Sequence, residues 1–332
     1  MQENEKLKNL EEKIQNKKEI IEKIFLEIHK KIIWQDNLIR DLFIWLLTWG
    51  HILLEWVPWV AKTLTIDTLS KTLDLDFKRI QFTPDLLPSD LIWTEIFNAK
   101  TWNFNVIKWP IFTNFLLADE INRAPSKVQS ALLEVMAEKQ VTIWDETFTL
   151  DRPFIVLATQ NPIEQSWTYK LPEAELDRFL LKTNVSYPSL EEEKSIVKNI
   201  FKIENSEINK IITPEEILEL QELVKQIYVS DSIIDYIWDI VFATREPSKY
   251  DLEEEVWQYL NYWVSPRWSL ALLKASQALA FLNSRSFVIP EDVKNVAIWA
   301  LSHRLVLNYD ARADEVSEFD IINKILEKIK IV

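Results

Sequence analysis

A segment near residue 60 has the residue order of a phosphate-binding loop. An apolar run is followed by EWVPWVAKT, in which Lys62 and Thr63 open a helical pattern. With glycine at two tryptophan positions the segment would read G-V-P-G-V-A-K-T, and backbone N–H groups at such a helix start hold phosphate oxygens. Lys62 would reach the β- and γ-phosphates, and Thr63 would ligate Mg²⁺. The alternative is an ordinary strand-to-helix turn with an exposed lysine. The predicted ATP-binding residues are Trp56, Val57, Pro58, Trp59, Val60, Ala61, Lys62, Thr63 and Leu64.

A second pattern places two carboxylates at the end of a buried strand. The run FLLADE, residues 115–120, is apolar until it reaches Asp119 and Glu120. The carboxyl ends of parallel strands form the rim of a sheet, where ligands bind. Asp119 would hold Mg²⁺, directly or through water, and Glu120 would be the general base for the attacking water. A strand that ends in a solvated acidic turn is the alternative, but the joint occurrence with the loop favours an ATPase.

A third apolar strand also ends in polar side chains. Residues 154–161, FIVLATQN, finish with Thr159 and Asn161. An amide at this rim can orient the attacking water and sense the γ-phosphate, so Asn161 is a candidate catalytic residue. Taken alone, Asn161 could equally be a turn residue before Pro162.

The glycine and tryptophan contents are abnormal. The chain has 332 residues with 1 glycine and 15 tryptophans, whereas average usage gives roughly 23 glycines at this length. Trp144 precedes Asp145 between two alternating runs, where Gly-Asp would make a hairpin turn. We hypothesise that the gene uses UGA for glycine and that the sequence renders it as tryptophan. Ordinary aromatic core residues are the alternative. Four tryptophans stand in helical contexts that suit a genuine tryptophan: Trp45, Trp238, Trp257 and Trp299.

Composition and hydropathy bound the class of protein. The formal net charge of −14 argues against general nucleic-acid binding, which usually leaves a basic surface, but it does not exclude a local basic patch. The absence of cysteine excludes a disulfide framework. The charged first 25 residues do not resemble a signal peptide, and no apolar run reaches the ~18 residues of a membrane helix. We therefore expect a cytoplasmic protein without a membrane span.

Hydrophobic periodicity divides the chain into three parts. Residues 1–30 predict a charged amphipathic helix, and residues 31–188 alternate strand and helix patterns. Such alternation predicts an α/β domain with a parallel sheet. In residues 189–332 the apolar residues recur with the period of a helix, and acidic segments such as TPEEI and IPEDV are typical of helix starts.

From about Ile33 to about His303 the chain resembles MoxR-family AAA+ ATPases. The resemblance is carried by LLEWVPWVAKT, FKRIQFTPDLLPSDLIWTEIF, WPIFTNFLLADEINRAPSKVQSALLEVMAEKQVTIWDE, PFIVLATQNPIEQSWTYKLPEAELDRFLLK and VSPRWSLALLKASQALAF. It implies an AAA+ P-loop domain with a parallel sheet flanked by helices, followed by an all-helical lid. It also implies an insert over residues 82–108 and a hairpin over 140–150. The family has glycine at eight positions that are tryptophan here: Trp34, Trp49, Trp56, Trp59, Trp93, Trp109, Trp144 and Trp167.

The resemblance also implies roles for site residues. Lys62, Thr63, Asp119 and Glu120 match the two nucleotide motifs, and Asn161 matches the first sensor. Arg178 in LDRF resembles the arginine finger, which acts on a neighbouring subunit's ATP, and Arg267 in SPR resembles the second sensor of the lid. For both arginines a surface salt bridge is the alternative.

The implied function is that of a Mg²⁺- and ATP-dependent ring ATPase, a homo-hexamer that remodels or activates client proteins. In this family the clients often contain von Willebrand A domains. Three alternatives remain open: a nucleic-acid motor of the helicase type, a metal-chelatase motor subunit, and a non-catalytic scaffold if the loop tryptophans are genuine.

Overall fold

The structure of the chain is a computed structural model. It describes residues 2–32, 36–56, 62–98, 103–108, 110–143, 146–160, 169, 171–185, 188–252, 256–262 and 266–331.

Helices and strands alternate through the first part of the chain. In order they are α1 (Gln2–Ile28), α2 (Asp36–Leu47), β1 (Ile52–Trp56), α3 (Lys62–Thr72), β2 (Phe77–Gln81), α4 (Pro88–Ile92), β3 (Trp93–Asn98), β4 (Asn103–Lys108), β5 (Phe115–Asp119), α5 (Ser126–Glu138), β6 (Gln140–Ile143), β7 (Glu146–Thr149), β8 (Ile155–Gln160), α6 (Glu173–Leu176) and β9 (Leu181–Val185).

Five of these strands form the parallel sheet that the sequence predicts. Their order is β2-β5-β8-β1-β9, and every neighbouring pair is parallel. Alternate residues enter two different cores: Leu117 and Leu157 pack on one face, while Ala118 and Val156 pack on the other. Residues 115–119 of β5 are buried at every position. A sheet covered by helices on both faces requires such continuous apolar strands.

The segment after β2 agrees in part with the short helical pattern of its sequence. The sequence PDLLPSDLIWTEIF suggests a short helical pattern, but the helix α4 ends at Ile92. An antiparallel hairpin of β3 and β4 follows, paired from Trp93–Lys108 to Asn98–Asn103. The segment before Trp109 was predicted to be strand-like, but its pairing with residues 93–98 was not, because local pattern does not specify which strands pair. The second hairpin, β6–β7, forms where it was predicted.

The remainder of the chain is predominantly helical, as predicted. Its elements are α7 (Leu190–Asn205), α8 (Pro214–Val224), α9 (Asp231–Ala243), β10 (Leu260–Tyr262), α10 (Arg267–Leu282), α11 (Pro290–Leu301), β11 (Val306–Leu307), α12 (Tyr309–Ala313) and α13 (Glu318–Lys328). The predicted acidic start TPEEI forms a capping box, in which Thr213 and Glu216 each accept a backbone N–H of the other. The short antiparallel pair β10–β11 was not predicted.

The N-terminal helix α1 packs against the body of the protein. Leu10, Ile14, Ile21, Ile24 and Ile28 recur at helical spacing and are buried in the larger core. The divisions at residues 30 and 188 stay predictions. None of the helices described is long and apolar enough to cross a membrane.

The backbone at Trp49 has a conformation that favours glycine. Trp49 follows the end of α2 with a φ of 59°, in the left-handed region. Glycine is the usual residue just beyond a helix end in this conformation, because a Cβ atom is penalised there. Trp45, one turn earlier, behaves differently: it is fully buried and its ring lies 5.5 Å from that of Phe115. Trp45 is therefore packed as a core residue, whereas Trp49 has a backbone conformation that favours glycine.

Candidate active site

Part of the predicted site lies at the carboxyl edge of the parallel sheet. Asp119 ends β5, and the loop that was predicted to bind phosphate lies between β1 and α3. Thr63 is exposed in the first turn of α3, and Leu64 packs against the larger core. Residues 57–61 lie outside the described residues, as do the side chains of Trp56 and Lys62.

Asp119 is a buried carboxylate that two side chains of the described residues contact. Its side chain is 5% exposed, and Arg79 donates from Nη2 to its Oδ2 over 2.6 Å. Thr159 donates from Oγ1 to its Oδ1 over 2.6 Å. These contacts fix the orientation of the carboxylate, since each oxygen is held from a neighbouring strand.

Glu120 adopts an unusual backbone conformation beside it. Its φ is 57°, in the left-handed region, and its N–H donates to Thr159 Oγ1 over 2.9 Å. Gln81 donates from Nε2 to its Oε2 over 2.9 Å, and Arg123 Nε lies 3.0 Å from the same oxygen. Such a backbone costs on the order of 1 kcal/mol and persists only where surrounding contacts hold it. The left-handed turn directs the Glu120 carboxylate toward the edge of β2 beside Asp119.

Thr159 connects the two acids, and the sequence assigned it no such role. It accepts from the Glu120 backbone and donates to the Asp119 side chain. Arg79, Gln81 and Arg123 were also missed. A signal for Gln81 existed: it ends the predicted strand next to β5 and pairs in register with Asp119.

The residues present fit a Mg²⁺ ion. Magnesium is bound by one or two carboxylates together with water and substrate phosphates, rather than by a cage of side chains. Asp119 and Thr63 supply one carboxylate and one hydroxyl at the same edge of the sheet. Within the described part of the chain, no group of three or more His, Cys, Asp or Glu side chains is placed to hold a metal ion.

Arg178 and Arg267 lie at the opposite edge of the sheet. Arg178 lies two residues before Leu180. The N–H of Leu180 donates to the backbone carbonyl of His51, the residue just before β1. Arg267 starts α10, and its Nη1 lies 3.3 Å from Oδ2 of Asp177. The first and last residues of the five-residue strand β1 are four steps of ~3.3 Å apart, so about 13 Å separates this edge from the carboxyl edge. Arg267 thus contacts the residue next to Arg178, and both arginines lie at the amino edge of the sheet. Asn161 lies outside the described residues.

Comparisons with known proteins agree with this architecture. Residues 51–181 match the ATPase family associated with various cellular activities (AAA), and residues 253–325 match the AAA lid domain. Chaperone MoxR1 of Mycobacterium tuberculosis is 45% identical over 93% of this chain and 81% of its own length. The uncharacterised protein YeaC of Bacillus subtilis is 45% identical over 86% of this chain and 87% of its own. The crystal structure of a candidate ATPase from Cytophaga hutchinsonii has a TM-score of 0.91 and 48% identity, covering 98% of this chain and 99% of that one.

A parallel sheet with paired carboxylates at its rim and a helical lid defines an AAA-type nucleotide-binding protein. Within that class the chain belongs to the MoxR family of AAA+ ATPases.

Proposed function

We propose that the chain is a Mg²⁺-dependent ATPase that works as a homo-hexameric ring in the cytoplasm and remodels or activates client proteins. The observation that carries this proposal is the pair Asp119–Glu120, which Thr159 holds at the carboxyl edge of the sheet, the edge at which α3 follows β1. Clients with von Willebrand A domains are proposed from the family resemblance alone.

The proposed chemistry assigns one task to each residue. Lys62 and the backbone at the start of α3 bind the phosphates. Thr63 and Asp119 hold Mg²⁺, which neutralises charge on the phosphate oxygens. Glu120 accepts the proton of the attacking water, and Asn161 orients that water.

The two arginines would act on a neighbouring subunit. Arg178 and Arg267 lie at the amino edge of the sheet, and the length of β1, about 13 Å, separates that edge from the carboxyl edge. A ring places that edge of one copy against the nucleotide of the next, so both guanidinium groups would stabilise phosphate charge there.

The proposed loop requires glycine at positions 56 and 59. A phosphate-binding loop brings its backbone within hydrogen-bond distance of phosphate oxygens, and an indole side chain obstructs that approach. The φ of 59° at Trp49 supports glycine at one more of the eight positions. We propose that the native protein carries glycine at all eight, and we name this sequence the glycine form.

A paired assay tests the function. The glycine form should hydrolyse ATP only with Mg²⁺, while the chain with tryptophan at the eight positions should not. Lys62→Ala in the glycine form should lose nucleotide binding, because the β- and γ-phosphates lose their cation. Lys71→Ala is the matched control, since Lys71 is exposed on the same helix and pairs with Asp67. A glycine form that folds but neither binds nor hydrolyses ATP would contradict the proposal.

A further inference from the structure

The helix α7 presents an apolar stripe to solvent. The structure describes every residue of Leu190–Asn205, and Ile203 is the single buried residue among them. Leu190, Val197 and Phe201 are 65%, 72% and 77% exposed. These three residues share one face of the helix, because positions seven and four residues apart recur on the same side. Contiguous exposed apolar surface of this kind marks a contact site, and we call it the α7 stripe.

A row of lysines runs beside the α7 stripe. Lys194, Lys198 and Lys202 are exposed and recur every four residues. The last two directly follow Val197 and Phe201 in the sequence, so this lysine row lies along one side of the stripe. Lys194 pairs with an acid of its own helix, whereas Lys198 and Lys202 form no ion pair among the described residues.

The helix α9 carries a second exposed stripe. Ile234 and Trp238 are 37% and 42% exposed, and Phe242 is half-buried one turn further along. The ring centroids of Trp238 and Phe242 lie 5.5 Å apart, and the guanidinium of Arg245 lies over the Phe242 ring. The other face of α9 is buried in the larger core, for example at Ile237. The α9 stripe, residues 234, 238 and 242, is therefore the side of this helix that the fold leaves uncovered.

Aspartates run beside the α9 stripe where lysines run beside the α7 stripe. Asp231, Asp235 and Asp239 recur every four residues, and the last two directly follow Ile234 and Trp238. Asp231 and Asp235 are exposed and form no ion pair within the part of the chain that the structure describes. Asp239 accepts a hydrogen bond from a tyrosine hydroxyl. The two helices thus carry the same arrangement of apolar stripe and charged row with opposite charge.

We propose that α7 of one copy of this chain packs antiparallel on α9 of a second copy. Such packing buries the two stripes against each other. Both charged rows lie on the same side of their stripes, and in an antiparallel helix pair these sides face one another, so the lysine row meets the aspartate row. Antiparallel packing of α7 on α7, or of α9 on α9, would instead bring like charges together, which is destabilising.

The contact joins two different surfaces of the chain. Repetition of such a heterologous contact forms a closed ring or an open helical filament. The inference deepens the proposed function by naming a contact surface between copies, and it rests on that proposal only for closure into a ring. Two short helices form a small interface, below about 1,200 Å². We therefore expect association that depends on concentration and weakens with salt.

Reversal of the charged rows tests the contact by sedimentation equilibrium of the full chain in the glycine form, without nucleotide. Lys198→Glu with Lys202→Glu should weaken association at least ~10-fold, because glutamates would then face the aspartate row. Asp231→Lys with Asp235→Lys should weaken it to a similar degree. The chain that carries all four changes should associate within about threefold of the parent, because its rows are complementary again.

The control for charge reversal is Lys18→Glu with Lys23→Glu. Lys18 and Lys23 are exposed lysines of α1, so this variant has the same change in net charge at a different surface. Its association should equal that of the parent.

Cross-linking tests whether unlike helices meet. The chain has no cysteine, so Lys198→Cys and Asp235→Cys each introduce a single thiol and leave both stripes intact. A short bis-maleimide should join the two variants in a mixture far more efficiently than it joins either variant to itself.

The outcomes decide between occupants of the two stripes. Association that each reversal weakens and the four changes together restore supports the proposal, as does cross-linking confined to the mixture. Association that is absent, or equal in the reversed variants and the control, overturns it. Efficient cross-linking of the Lys198→Cys variant to itself would show α7 on α7 and also overturns it. A glycine form without ATPase activity would contradict the proposed function and leave these measurements readable, since none of them uses ATP.

Discussion

Glu120→Gln in the glycine form should bind ATP as tightly as the parent and hydrolyse it at least ~100-fold more slowly, the usual contribution of a general base. The amide keeps the shape of the side chain and can still contact Gln81 and Arg123, which hold the Glu120 carboxylate in the structure. It cannot accept the proton of the attacking water. Equilibrium binding of ATP and steady-state phosphate release measure the two effects separately.

Glu134→Gln is the matched control for this variant. Glu134 is exposed on α5, so its replacement removes one charge without touching the site. Its turnover should equal that of the parent. Equal turnover of Glu120→Gln and the parent would exclude Glu120 as the base and leave it a structural role beside Asp119.

Arg178→Ala in the glycine form should bind ATP normally and hydrolyse it ~10³-fold more slowly, as expected for the loss of an arginine finger. The structure places Arg178 at the opposite edge of the sheet from its own phosphate loop. Mixing this variant with Lys62→Ala subunits should therefore restore part of the activity. Some interfaces in mixed rings combine an intact Arg178 with an intact loop on the next subunit.

The control for the arginine experiment is Arg312→Ala, an exposed arginine on α12. The Arg312→Ala variant should keep full ATPase activity on its own. Mixing it with Lys62→Ala subunits should not raise its activity. If size measurements show mixed rings and their activity does not exceed that of either parent variant, the arrangement in trans is wrong. Arg178 would then be a structural arginine of the β9 edge.

The sequence predicts that two acids of the candidate site lie at one edge of the sheet, and it does so for a physical reason. Asp119 and Glu120 follow a buried strand, and the parallel sheet forces the ends of such strands to one edge. The sequence pattern and the sheet topology are therefore sufficient to predict that both acids lie at the edge of the sheet where α3 begins.

The other contacts could not be read from local pattern. Thr159 bridges both acids through its hydroxyl, a role that depends on strand register and on the left-handed turn at Glu120. Arg267 approaches Asp177 across 90 residues of sequence, so only the tertiary packing of the lid reveals it. The hairpin β3–β4 was missed because each strand depends on the other for its conformation.

The identity of residues 56 and 59 decides whether the predicted loop can bind phosphate. The account requires glycine there, since an indole at either position obstructs the approach of the backbone to phosphate oxygens. Mass spectrometry of peptides that span both positions, from protein purified out of its native cells, tests this directly. The account predicts glycine at both positions. Tryptophan in those peptides would contradict it and would leave the chain without a workable phosphate loop.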